Sequence, residues 1–392
     1  MHLLIGISGV LLIAFVLWEA FETIILPRRV TRRIRLTKFL YAITWRPWSA
    51  MARKIKKNKR REKLLSFYGP MSLLMLLAVW AIGLVLGFAL VHWAIGSNFA
   101  AGGDFSIDLY FSGTTFFTLG LGDVTPSGTG GRALTVAEAG MGIGFLALVI
   151  GYVPILYQSF SRREMNISML DARAGTPPSA GELLRRHQEG GDLQSIDQLL
   201  RAWEKWAADL LESHLSYPVL CFFRSQHDNQ SWLSALTTLL DTCSLVMVGI
   251  DGFSKWQAQL TFKMARHAVV DIAQVFDTSP LVGDGHRLTH EGFERLHTVL
   301  AEAGVALRNA PNDEETLAEL RTLYEPYIDV LSDYLLMPLP GWLPQARAVD
   351  NWQTSAWEIR APSPEKTIRK CMMSADSKAT SDYRAPSLTT HK

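Results

Sequence analysis

The hexapeptide Thr118-Leu119-Gly120-Leu121-Gly122-Asp123 is the stretch of this sequence best suited to chemistry, and the chemistry is ion coordination by backbone oxygen. A dehydrated K⁺ needs a cage of oxygens in place of its water shell. A chain whose successive carbonyls all point the same way supplies one. That geometry needs residues alternating between right- and left-handed conformations, and glycine adopts the left-handed one without strain. Gly120 and Gly122 stand at alternate positions, and Thr118 adds a hydroxyl at one end. A second glycine cluster, residues 128–133, fits a relaxed dinucleotide-loop pattern. No strand precedes it and an apolar span follows, so it is not read as a nucleotide site.

Such a backbone must be held by other elements. Residues 107–117 are short, apolar and aromatic, and fit a half-helix that dips into a membrane, with Asp104 or Ser106 as its cap. Its carboxyl end would aim a negative dipole at a cation. Three segments are long and apolar enough to cross a bilayer, at about residues 3–26, 68–95 and 132–157. Non-helical backbone at membrane depth is tolerated only where it lines a pore or lies within protein, so the hexapeptide is expected in a re-entrant pore loop.

Residues 64–163 resemble the potassium channel superfamily, in its bacterial two-transmembrane pore module. The hexapeptide, Asp123, Pro126 and Gly131-Arg132 carry the resemblance, flanked by two spans and the aromatic half-helix. It implies that Thr118, Leu119, Gly120, Leu121 and Gly122 line K⁺ sites as a selectivity filter and that Asp123 holds the outer mouth. It also implies a gating hinge at Gly142, with Gly144 close by on the same helix. Leu121 stands where the family usually has Tyr or Phe, and Phe117 where it often has Thr. Leu121 gives up aromatic bracing but keeps its carbonyl.

Glu138 lies inside the third span, one turn from Gly142 on the same face. An ionisable residue there suggests function. It is expected to support the filter by bonding the half-helix near Thr114 or Thr115, the alternative being a pair with Arg132 or His92. Pro154 is a candidate kink near the end of this span. Glu19 and Glu22, in the first span, are expected to pair with nearby arginines.

Residues 27–63 carry 15 Lys and Arg against one acid, Glu62, although the whole chain has a formal charge of only +2. Flanked by spans, this block reads as positive-inside anchoring, with an anionic-lipid partner at residues 28–63 and no nucleic acid. Phe39, Tyr41, Trp45 and Trp48 within it suit a headgroup boundary. The block then lies in the cytoplasm of a multi-pass plasma-membrane protein whose N-terminus is outside. The first span has its basic residues after the apolar run and no small-residue cleavage site, so it reads as retained, not as a secretory signal. Its arginines follow Pro27, outside the span, which argues against a voltage sensor.

After about residue 180 the pattern turns to helical periodicity, in 192–213, 229–249, 254–275, 289–304 and 313–336. Ser195 and Thr289 are candidate N-caps. Residues 234–250 are apolar enough to suggest a fourth span, but Asp241 near the centre favours a buried core helix. His214, His227, His267, His286, His290 and His297 show no metal-ligand arrangement. Cys221, Cys243 and Cys371 read as reduced thiols. No constellation points to catalysis, and neither an enzyme nor a cofactor beyond permeant K⁺ is expected.

The expectation is thus an all-α membrane protein with three transmembrane helices and a re-entrant pore loop, followed by an α-helical cytoplasmic domain. Its parts are an N-terminal span (1–27), a basic segment (28–63), a pore module (64–163), the helical domain (164–360) and a disordered tail (361–392). One pore segment per chain requires four copies around an axis, so the partner is a second copy of the same chain in a homotetramer. A weakly selective cation channel, or a membrane-anchored signalling or scaffold protein with a vestigial pore, are the alternatives. A K⁺-uptake transporter subunit would usually repeat the motif four times, and one copy is present.

Overall fold

A computed structural model describes residues 1–26, 36–96, 104–190, 194–227, 229–251, 254–280, 287–308, 312–344, 351–353 and 368. Arginines 28–35, His286, Cys371 and nearly all of the 361–392 tail lie outside the described residues. So does any pairing of Glu19 or Glu22 with that arginine run. Within the described residues every regular element is helical.

The long apolar stretches become long helices. α1 (His2–Ala20) ends in one π-helical turn, Phe21–Ile25, and runs antiparallel to α3 (Asn58–Ile95). The two backbones meet closely through small residues. A Cβ on Gly9 would lie 2.7 Å from the Gly87 carbonyl oxygen, and one on Gly87 would lie 2.6 Å from Ile13. In lipid, where apolar burial drives nothing, such close contact is the main source of helix affinity. α4 (Phe105–Phe116) is the expected half-helix, followed by α5 (Thr129–Ala174). Asp104 occupies the N-cap of α4 without bonding its backbone, and Ser106 Oγ donates to the Asp104 carboxylate at 2.7 Å.

α5 has 46 residues, about 69 Å at the helical rise, roughly twice a bilayer core. The sequence suggests a span ending near residue 157. The helix continues because Pro154 removes one hydrogen bond without breaking it, and because Arg163 and Glu164 find buried partners beyond the apolar run.

The rest forms a helical domain of α6 (Ala180–Glu189), α7 (Gln194–Ser216), α8 (Trp232–Gly249), α9 (Lys255–Val275), α10 (His290–Glu302), α11 (Asp313–Thr322) and α12 (Glu325–Leu335). By length and composition α8 ranks with α1, α3 and α5 as able to cross a membrane, yet 89% of its apolar window is buried within the protein. It is the core helix of this domain. Asp241 at its centre is satisfied by Arg287 Nη2 at 2.6 Å and by the Tyr324 hydroxyl at 2.6 Å. Thr289 caps α10, accepting from Gly292 N–H at 3.1 Å. Ser195 lies one residue inside α7, which begins at Gln194, and so does not cap it.

The headgroup expectation for α2 (Leu36–Arg53) is corrected. Tyr41, Trp45 and Trp48 share one helical stripe, and it turns inward. Trp45 packs on Tyr68 at 4.7 Å and Phe222 at 5.0 Å, and its indole donates to the Tyr334 carbonyl at 3.0 Å. Trp48 donates to the Leu64 carbonyl at 3.2 Å. Only Phe39 of the four is exposed. These aromatics find a larger apolar surface on α3 and α12 than a headgroup layer offers, so α2 bolts the helical domain to the base of α3.

Candidate functional site: the pore loop

The loop after α4 starts from the unsatisfied carbonyls of that helix. Leu119 N–H donates to the Thr114 carbonyl at 2.8 Å, and Thr118 N–H to the Thr115 carbonyl at 3.0 Å. The half-helix therefore ends by tying the loop to its own carboxyl terminus. From there the backbone alternates. φ is +58° at Thr118, +54° at Gly120 and +79° at Gly122. The glycines take the conformation expected of them. Thr118 takes it too, which for a β-branched residue is a sparsely populated and strained state. Thr118 through Asp123 are exposed in the single chain.

Asp123 is held from the side. The Tyr110 hydroxyl, from α4, donates to its carboxylate at 2.9 Å, and the same carboxylate accepts Val124 N–H at 3.1 Å. Sequence reasoning did not single out Tyr110. It lies 13 residues from its partner, beyond any local periodicity, and only the loop's return path brings the two together.

Glu138 is fully buried and does bond the half-helix, but not at Thr114 or Thr115. It accepts from Ser112 Oγ on α4 and lies 3.1 Å from His92 Nε2 on α3. Helical phase excludes Thr114, and on the remaining buried face it is Ser112 that reaches the carboxylate. Asp108, Ser112 and Thr115 share the buried face of α4, whereas Thr114 turns away and bonds the Phe111 carbonyl at 2.9 Å. His92, the alternative partner, is thus part of the same group. Glu138 joins three helices behind the loop, while Thr114 and Thr115 act through their carbonyls.

Gly142 lies directly beneath the end of the half-helix. A Cβ there would fall on the Phe116 carbonyl oxygen, whereas Gly144 has open space around it. Gly142 is therefore a packing residue in this conformation, and α5 runs through it without a break. Phe117 and Leu121 are both exposed, and Phe117 meets Phe116 edge-on at 5.3 Å.

Comparison with known proteins agrees with this geometry. A family model described as "Ion channel" matches residues 74–159, which run from the body of α3 through the loop to α5. A membrane protein of Bacillus subtilis (strain 168), YdjJ, described as uncharacterized, is 27% identical over 252 residues, covering 62% of this chain and 70% of that protein. No solved structure matches the chain. Residues 74–159 are thus similar to an ion-channel family, and they are carried by an all-α membrane protein.

Proposed function

We propose that four copies of this chain form a K⁺-selective channel whose filter is Thr118-Leu119-Gly120-Leu121-Gly122-Asp123. The observation that carries this is the alternation of left-handed backbone at Thr118, Gly120 and Gly122 directly after a half-helix carboxyl end. Alternation turns successive carbonyls toward one line, where they can replace the hydration shell of K⁺, and the helix end adds a favourable dipole. Asp123, clamped by Tyr110, supplies negative charge at the mouth. Tyr110 takes over bracing that Leu121 cannot give. Of the glycines, Gly142 fixes α5 against the filter support, and the gating bend falls at Gly144, which has room to move.

In this reading the protein spans the plasma membrane with its N-terminus outside and the helical domain in the cytoplasm. Anionic lipid meets the basic segment 28–63, where exposed Phe39, Ile43 and Arg46 combine charge with apolar surface.

The test is flux of K⁺ against Na⁺ from purified protein in liposomes, with Ba²⁺ as blocker. Ba²⁺-sensitive K⁺ flux well above Na⁺ flux is expected. Comparable K⁺ and Na⁺ flux would point to a weakly selective pore. No flux under any condition would overturn the channel reading.

A further inference from the structure

Residues 217–223 belong to the helical domain by sequence, yet they are built into the membrane bundle. The short 3-10 segment Pro218–Phe222 follows α7, and its Val219 and Leu220 are buried with Val16, Leu73, Leu76 and Tyr152 of the bundle. This contact lies at the end of α3 and α5 remote from the pore loop. Tyr217 packs edge-on to Tyr152 of α5 at 5.7 Å.

Phe223 is the tip of this insertion. Its ring lies against α3 at Gly69, where a Cβ would stand 2.7 Å from it, and its centroid is 5.7 Å from that of Phe160 on α5. One ring therefore separates the two helices of the pore module. The helix beside it is weakened there. Pro70 follows Gly69 inside α3 and supplies no N–H to the preceding turn.

Arg163 of α5 ties the same segment down. Its guanidinium is buried and donates to the Leu220 carbonyl at 2.9 Å and to the Phe223 carbonyl at 2.8 Å. It also lies over the Phe160 ring, pairs with Glu164 at 2.9 Å, and donates to His214 Nε2 at 3.2 Å. A guanidinium only donates, so Nε2 accepts and Nδ1 donates to the Leu210 carbonyl at 2.8 Å. Two carbonyls, a carboxylate and an imidazole thus close a planar, fork-shaped site that Lys could not fill.

We infer that residues 217–223 are a gating wedge. The helical domain sets the separation of α3 and α5 at the end of the pore remote from the filter through Phe223, with Arg163 as the latch that makes α5 follow the wedge. The inference rests on the channel reading above. Alongside the α2 contact and the continuous α5 helix, the wedge is the element of the helical domain that touches both pore helices at once through a single ring.

The double variant Gly69→Cys/Phe223→Cys tests it in single-channel recordings of the full chain in bilayers. The Cβ position of Gly69 is 3.1 Å from Phe223 Cγ, which puts the two Cβ positions within disulfide reach, and loss of the ring relieves the crowding that Gly69→Cys alone would create. With the cross-link formed, shown by mass, open–closed transitions should fall at least tenfold at unchanged single-channel conductance, and return on reduction. Arg163→Lys should shift open probability at unchanged K⁺/Na⁺ selectivity. Unchanged transition frequency in the fully cross-linked channel would overturn the wedge while leaving the channel reading intact. Absence of K⁺ current from the wild-type protein would overturn that reading, and the wedge with it.

Discussion

Gly142 and Gly144 stand two residues apart on α5 in opposite surroundings. A methyl on Gly142 would occupy the place of the Phe116 carbonyl oxygen, so Gly142→Ala must push the end of α4, and the pore loop with it, off its seat. Rigid backbone cannot yield as a side chain can. Gly142→Ala should therefore reduce K⁺ flux at least tenfold and disturb K⁺/Na⁺ selectivity, while Gly144→Ala, with open space around it, should keep wild-type selectivity and lower flux only by stiffening the bend, in the same liposome assay. Glu138 gives a second contrast. Glu138→Ala removes the buried carboxylate that links His92 of α3 to Ser112 of α4 and should cost about 3 kcal/mol in thermal or denaturant unfolding of the solubilised protein, with Glu138→Gln recovering part of that. The loop's backbone was legible in the sequence where residue type dictates it. Gly120 and Gly122 declare a left-handed conformation because few other residues accept it. Thr118 shares the conformation but threonine carries no such signal, so it emerges only from the path of the loop. Ser112 was legible in principle, through the buried face it shares with Asp108, whereas the Tyr110–Asp123 bond was not.

At the scale of elements, the junction between the bundle and the helical domain depends on a neutral histidine. Burial, and then the charge of Arg163, push the His214 imidazole well below its usual range. The unfolded chain takes up that proton near the ordinary value of 6.5 and the folded chain does not. Stability therefore rises with pH wherever the unfolded state binds more protons, and falls as pH drops below 6.5. The slope approaches about 1.4 kcal/mol per pH unit. Thermal unfolding of the full chain should show this loss between pH 6.5 and about 5.5, above the range where carboxylates titrate, and His214→Gln should flatten it. Little of this junction could be read in advance. The periodicity of α7 through α12 announces helices, because an apolar stripe must meet a core. Residues 217–223 have no period and gain their burial from partners far away in sequence. The aromatic stripe of α2 was visible as a stripe, but its partner was ambiguous, since tryptophan suits a headgroup layer and a protein core equally well. Tyr334 and Phe222 settle it in favour of the core.

For the whole molecule, the decisive quantity is how little of α5 a single chain covers. Only 17% of its most apolar window is buried, against 50% for α3. The uncovered surface divides into two faces. Val136, Ile143, Leu146, Ile150 and Tyr157 are large, apolar and exposed. Ala137, Gly140, Gly144, Ala147 and Gly151 are small and exposed on the adjoining face. A helix that faced lipid all round would have no reason to segregate the two. In the proposed ring of four, the large residues would fill the contact with the next copy, and the small ones would leave width for a water-filled path beneath the pore loop. The division predicts two different failures. Ile150→Asp, on the large face, should cost about 3 kcal/mol per subunit and yield species smaller than a tetramer when the detergent-solubilised protein is weighed. Ala147→Cys, on the small face, should assemble normally, and a charged thiol reagent should then block its K⁺ flux while leaving wild type unaffected. If instead Ile150→Asp assembled as a tetramer and Ala147→Cys resisted the reagent with flux intact, α5 would not line the pore in this orientation. The path beneath the filter would then have to be built from another helix.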